Sequence, residues 1–187
     1  MGLTDVLFIS ATLVWLSEFV LFKGKQQEQT TVSLTEKKSF IAILLTILFC
    51  IGLCLLFQQM NWTRINQPAM IWVGLTVYGC GIVLRIWSMI LLRGEFTRDV
   101  QTSKTMVLVS EGPYKYMRHP LYTGLLLCVL GISLYTQTVA GVALSLFFIT
   151  YVLSIRIRLE ERMLDTALAG AYTNWKKKRW ILIPFLY

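Results

Sequence analysis

Residues 111–124 read Glu-Gly-Pro-Tyr-Lys-Tyr-Met-Arg-His-Pro-Leu-Tyr-Thr-Gly, and residues 156–162 read Arg-Ile-Arg-Leu-Glu-Glu-Arg. These two stretches hold the groups best suited to chemistry. His119 is the only histidine in the chain of 187 residues. It stands between Arg118 and Pro120, and proline suits the first position of a helix because the N–H it lacks would have no partner there. Pro120 also keeps His119 extended. The free N–H groups and positive dipole end of a helix beginning at Pro120 would lie beside His119 and Arg118, a setting for a carboxylate or phosphate. Arg156 and Glu160 are four positions apart, Arg158 and Glu161 three, so each pair shares a helical face. Interfacial salt bridges account for Arg158, Glu161 and Arg162. Arg156 and Glu160 lie closest to an apolar run, where an ornamental charge pair is costly and charge reads as function.

The elements that position these groups are membrane helices. With 56% hydrophobic residues, 15% charged residues and a mean hydropathy of +0.62, the chain is too apolar for a soluble domain. The apolar residues come in blocks, predicting spans over Thr4 to Phe22, Phe40 to Phe57, Ala69 to Leu92, Leu121 to Tyr135 and Val139 to Ile155. The fold class expected is all-α, a polytopic membrane protein of about five transmembrane helices. It forms one domain over residues 1–187, with the motif region at 93–187. Only Thr136, Gln137 and Thr138 separate the last two spans, which predicts a tight helical hairpin, with a single long kinked span as the alternative.

Charge sets the orientation. Lys23, Lys25, Lys37 and Lys38 fall in the first loop and Arg93, Arg98, Lys104, Lys115 and Arg118 in the third. Arg156, Arg158, Arg162, Lys176, Lys177, Lys178 and Arg179 fall in the tail. Only Arg64 and Arg85 of the eighteen basic residues lie elsewhere. The positive-inside rule then places the N-terminus outside and the motif region in the cytoplasm. The net charge of +8 reports topology and attraction to anionic headgroups, with no nucleic-acid partner expected. The first apolar run lacks a basic n-region, carries Glu18 and has no small-residue cleavage pattern, so it reads as a span and not as a signal peptide. Cys50, Cys54, Cys80 and Cys128 all fall inside spans with no metal-ligand spacing, so neither a disulfide nor a metal site is expected. Gly124, Cys128 and Gly131 fall near one helical face, leaving room for a neighbouring helix or a flat ligand. Arg85 reads as a snorkelling side chain or a pocket residue, with snorkelling preferred, and Glu18 shares that ambiguity. The tail from Ala171 to Trp175, its lysine cluster and Ile181 to Tyr187 read as an interfacial segment anchored by aromatics.

Gly-x-Tyr at 112–114, Arg-His-Pro-x-Tyr at 118–122, a short hairpin, Arg-x-x-x-Glu-Glu-x-x-Leu at 156–164 and a basic, Tyr-rich tail together resemble the isoprenylcysteine carboxyl methyltransferase family over about residues 80–187. The resemblance implies S-adenosyl-L-methionine as methyl donor, bound on the cytosolic side, and a prenylated or otherwise lipophilic acceptor arriving from the membrane lipids. Residue by residue it implies donor binding by Tyr114, His119, Pro120, Leu121 and Tyr122, by the segment Met106, Val107, Leu108 and Val109, and by Glu160. It implies that Arg156 orients the acceptor. Here Met106–Val109 departs from the polar start of that segment in eukaryotic members, so those contacts would be made by backbone. The family's donor-contacting glutamine has two candidate counterparts, Asp99 and Gln101. A sulfonium needs a nearby anion, which Glu160 can be, and a carboxylate acceptor needs no base. Three enzymatic alternatives and one non-enzymatic one stand beside carboxyl O-methylation. An N-methyltransferase of phospholipid amines would need a base, an O-methyltransferase could act on a free lipid or polyketide, and an NADPH-dependent lipid reductase would normally bring a larger multi-span N-terminal half. A non-enzymatic scaffold would give the Arg156, Glu160 and His119 constellation no reason to exist.

Overall fold

The computed structural model describes residues 2–21, 34–96, 108–168 and 170–183. The apolar runs are all helical: α1 (Leu3–Leu21), α2 (Leu34–Gln59), α3 (Pro68–Phe96), α4 (Pro120–Tyr135) and α5 (Val139–Leu168), followed by a short α6 (Ala171–Lys176). Proline opens both α3 and α4 at the position where a missing N–H costs nothing. Among the described residues, three helices are long and apolar enough to cross a membrane, over residues 38–59, 68–92 and 139–168, and α4 is a shorter apolar helix. α5 has 30 residues. At about 1.5 Å per residue it outruns a hydrocarbon layer of roughly 30 Å, so its charged C-terminal turns extend beyond the apolar part.

The predicted hairpin is present. Thr136, Gln137 and Thr138 are buried between α4 and α5, and the 63–67 segment brackets them through Ile65 N–H to Gln137 O at 2.9 Å and Val139 N–H to Thr63 O at 3.1 Å. α3 and α4 make the most extensive helix contact, α1 lies on α3, and α2 lies on α5. The small-residue stripe explains the α3–α4 approach: a Cβ on Gly81 would meet Cys128 N and Gly124 O at 2.8 Å, and one on Gly74 would meet Tyr135 N at 2.6 Å. Gly124, Cys128 and Gly131 therefore serve helix packing and not a flat ligand. Tyr78, Cys128, Val129, Ile149 and Leu153 fill the centre between α3, α4 and α5.

Candidate active site

A cavity of about 300 Å³ opens where α3, α4, α5 and α6 meet the segment leading into α4. Leu92, Leu121 and Leu164 give it apolar walls from three helices, and Leu108 and Val109 close one side. Its polar groups converge from different elements: Arg118 and His119 from the loop, Tyr122 from α4, Glu160 from α5 and Tyr172 from α6.

The loop is built for close approach. Gly112 has φ +52° at the start of the 3₁₀ turn Gly112–Lys115, and a Cβ there would meet Leu91 Cδ1 at 2.7 Å. This turn swings Tyr114 into the cavity wall, where it is 6% exposed. Burial, then the negative charge of Glu160, raises the Tyr114 phenol above its ordinary pKa, so it stays protonated. The chain past α6 then clamps the loop by backbone pairing. Arg118 N–H donates to Trp180 O at 2.8 Å, His119 N–H to Ile181 O at 3.2 Å, and Trp180 N–H to Tyr116 O at 3.0 Å. The Thr123 hydroxyl reaches Leu182 O at 2.8 Å and Arg179 Nε reaches Tyr114 O at 2.7 Å. The tail is thus part of the site's frame, and Tyr172, expected at an interface, is 1% exposed inside it. Asp165 pins α6 to α5 by accepting from Lys176 Nζ at 2.6 Å and the Thr173 hydroxyl at 3.1 Å.

Within this frame the Tyr122 hydroxyl donates to Glu160 Oε2 at 2.6 Å and accepts from Arg156 Nε at 3.1 Å. A tyrosine from α4 therefore joins the two α5 residues that share a face. The next carboxylate serves other partners: Glu161 Oε1 accepts from Arg118 Nη1 at 3.0 Å and lies 3.3 Å from His119 Nε2. Arg158, expected to pair with Glu161, donates instead to Ser154 O at 3.1 Å, one turn back on its own exposed face. Glu161 is turned towards the loop because successive residues on a helix project about 100° apart. His119 is 6% exposed, and its ring stacks on Tyr122 with centroids 5.6 Å apart.

The structure brings Leu108, Val109, Tyr114, His119, Leu121, Tyr122 and Glu160 to the cavity, with Arg156 joined through Tyr122. Pro120 is fully buried behind them at the first position of α4. Met106, Val107, Asp99 and Gln101 lie outside the described residues. The anion cradle expected at the α4 N-terminus is largely used by the chain itself, since Tyr122 and Thr123 N–H donate to His119 O at 3.0 and 3.1 Å. Four lining residues escaped the sequence reading of the site: Leu92, Leu164, Tyr172 and Trp175. Only the aromatic spacing of the tail hinted at the last two. Trp175 Nε1 donates to Ser110 Oγ at 2.9 Å, and the Arg179 guanidinium lies over its ring at 4.3 Å. The Tyr172 hydroxyl lies near Glu161, whose charge adds to burial in raising its pKa, yet it closes no hydrogen bond of ordinary geometry.

Among known proteins, the model of the phospholipid methyltransferase family matches residues 69–170. A protein-S-isoprenylcysteine O-methyltransferase of Saccharomyces cerevisiae is 31% identical over 118 residues, covering 59% of this chain and 49% of that one. A probable protein-S-isoprenylcysteine O-methyltransferase of Oryza sativa subsp. japonica is 28% identical over 190 residues, covering 96% of this chain and 95% of its own. The chain thus spans about half the length of the yeast relative and nearly all of the rice one. The solved structure of a eukaryotic intramembrane Ras methyltransferase, an isoprenylcysteine carboxyl methyltransferase, superposes with a TM-score of 0.60 at 20% identity, over 95% of this chain and 63% of that chain. The likeness extends to the membrane-embedded helical fold.

Proposed function

This chain belongs to the phospholipid methyltransferase family of membrane-embedded methyltransferase enzymes, and from that premise we propose that it uses S-adenosylmethionine to methylate the carboxylate of a lipophilic, prenylcysteine-like acceptor. The observation that carries the reading is the Arg156–Tyr122–Glu160 chain at the edge of the cavity. The donor fits the residues present. A cavity of about 300 Å³ lies at the lower end of the range for small-ligand sites, its apolar walls carry a few convergent polar groups, and the unpartnered Tyr172 hydroxyl is a group that a ligand could satisfy.

When bound, S-adenosylmethionine supplies a methyl carbon on a positively charged sulfur, open to in-line displacement. Glu160 opposes that positive charge, and Tyr122 fixes its carboxylate by occupying Oε2. Arg118, held in place by Glu161, faces the cavity as a donor for an anionic group, and His119 lines the wall beside it on the same carboxylate. With its Nε anchored on Tyr122, the Arg156 guanidinium plane is fixed, and its fork aligns the two oxygens of a carboxylate. A carboxylate needs no base, so no residue has to remove a proton. Leu92, Leu121 and Leu164 exclude water from the reacting atoms. The names of the yeast and rice relatives support a prenylcysteine-like acceptor.

In the membrane we place five spans, α1 to α5, with the N-terminus outside and the cavity on the cytoplasmic face. The charge distribution supports this orientation, as does the extension of α5 past the hydrocarbon at the cavity. Equilibrium binding to detergent-solubilised protein tests the donor class. Saturable binding of S-adenosylhomocysteine with none of NADPH is expected; the reverse would replace the proposal with a nicotinamide-dependent lipid reductase.

A further inference from the structure

Glu18 and Arg85 form an ion pair, with Glu18 buried and Arg85 partly so, that the chemistry proposed above does not use. Glu18, on α1, is 5% exposed. Arg85, on α3, donates from Nε to Glu18 Oε2 at 2.9 Å and engages the other carboxylate oxygen through Nη2, so the fork is filled from both sides. Its Nη1 turns the other way and donates to the carbonyl of Leu121 at 3.1 Å. Leu121 lies in the first turn of α4 between Pro120 and Tyr122, and it lines the cavity. A helical carbonyl keeps a second lone pair beside its helix bond, so Arg85 can take it without breaking α4. The approach depends on glycine: a Cβ on Gly124 would meet Arg85 Cγ at 2.6 Å and Gly81 O at 2.9 Å.

An ion pair among apolar helices is a poor source of stability, because its desolvation cost offsets much of the attraction and a well-packed hydrophobic pair often does as well. A hydrophobic pair cannot reproduce the directed bond to Leu121. Neither can lysine, whose ammonium is one point charge where the guanidinium reaches two partners in opposite directions. That bond acts on the turn carrying Leu121 and Tyr122, next to His119.

We propose that Glu18 and Arg85 are positioning residues for the donor site, with α1 setting the placement of the first turn of α4 through the Arg85–Leu121 bond. The role rests on the reading of the cavity as a donor site. It makes α1, which carries no recognisable motif, part of the catalytic assembly.

The test is the double variant Glu18→Leu/Arg85→Met in the full chain, read by melting temperature, by S-adenosylhomocysteine affinity and by amide hydrogen exchange across residues 119–126 without ligand. The expected result is a melting temperature at or above that of the parent, faster exchange in that segment, and a dissociation constant raised about 10-fold, as for one lost charge-assisted hydrogen bond. Unchanged exchange overturns the proposal whatever the affinity does, and so does an affinity loss that appears only with a lower melting temperature. If the double variant fails to fold, Arg85→Lys gives the same readouts, because it keeps a charge opposite Glu18 and loses the second arm. Failure of the parent to bind S-adenosylhomocysteine would sink the donor reading alone, since exchange in the unliganded protein still decides the placement of α4.

Discussion

Glu160→Gln is the sharpest perturbation of the proposed donor site, because it keeps the size of the side chain and removes only its charge. In the structure Oε2 is already taken by the Tyr122 hydroxyl at 2.6 Å, a length typical of an O–H···O⁻ bond. The carboxamide can still accept that bond, so the bridge to Arg156 survives in weakened form and the cavity keeps its shape. What is lost is the anion that, on the proposed reading, faces a sulfonium or ammonium. A charge-assisted hydrogen bond contributes about 1.5–3 kcal/mol, and at 1.4 kcal/mol per decade the dissociation constant of S-adenosylhomocysteine or a sulfonium analogue should rise roughly 10- to 150-fold. Because the analogue carries the sulfonium charge that S-adenosylhomocysteine lacks, the loss should be larger for the analogue. Isothermal titration of both ligands against detergent-solubilised parent and variant measures this. Equal, small losses for the two ligands with an unchanged melting temperature would refute the pairing of Glu160 with the donor's charge.

Arg156→Lys should cut turnover strongly while leaving donor affinity nearly intact, and parental turnover should persist at acidic pH because a carboxylate acceptor needs no base. A steep loss of parental turnover from about pH 8 to pH 6, with Arg156→Lys nearly as active, would replace carboxylate with amine chemistry. Tyr172→Phe removes a buried hydroxyl that lacks a partner, so the unliganded protein should melt higher, by an increment on the order of 1 kcal/mol, while S-adenosylhomocysteine affinity falls. A lower melting temperature with unchanged affinity would make Tyr172 a packing residue only. In a cysteine-free background, Asn66→Cys should label from outside intact cells whereas Thr102→Cys and Lys177→Cys should not, and labelling of the latter two would reverse the orientation.

Much of the scaffold was legible because each of its determinants is local. Apolar runs of membrane length became helices, Pro120 opened α4 and left His119 just outside it, and the Thr136–Thr138 interruption produced the hairpin. The Arg156 and Glu160 spacing likewise put two charges on one face, because i and i+4 are neighbours on any helix. Partners across helices were not legible by the same means. Arg85 lies 67 positions from Glu18, and its reading as a snorkelling side chain failed because periodicity says which way a side chain points on its own helix and nothing about what stands opposite. Arg158 looked like the natural partner of Glu161, yet the loop held by the tail delivers Arg118 and His119 to that carboxylate from 43 and 42 positions away.

The consecutive acids of α5 show why the missing information is tertiary. Residues 160 and 161 are adjacent in the chain but project about 100° apart, so one meets α4 and the other meets the loop. Glu160, joined to Arg156 through a tyrosine hydroxyl, stands where charge can be presented to a ligand; Glu161, accepting from Arg118 and beside His119, is committed to holding the wall in place. The same division recurs at Arg85, two of whose nitrogens go to Glu18 while the third goes to a backbone carbonyl of the site. In each case a charge that would be costly in an apolar setting is matched by a partner from a distant element. The cavity therefore draws its order from all the helices around it and not from the motif-bearing loop alone.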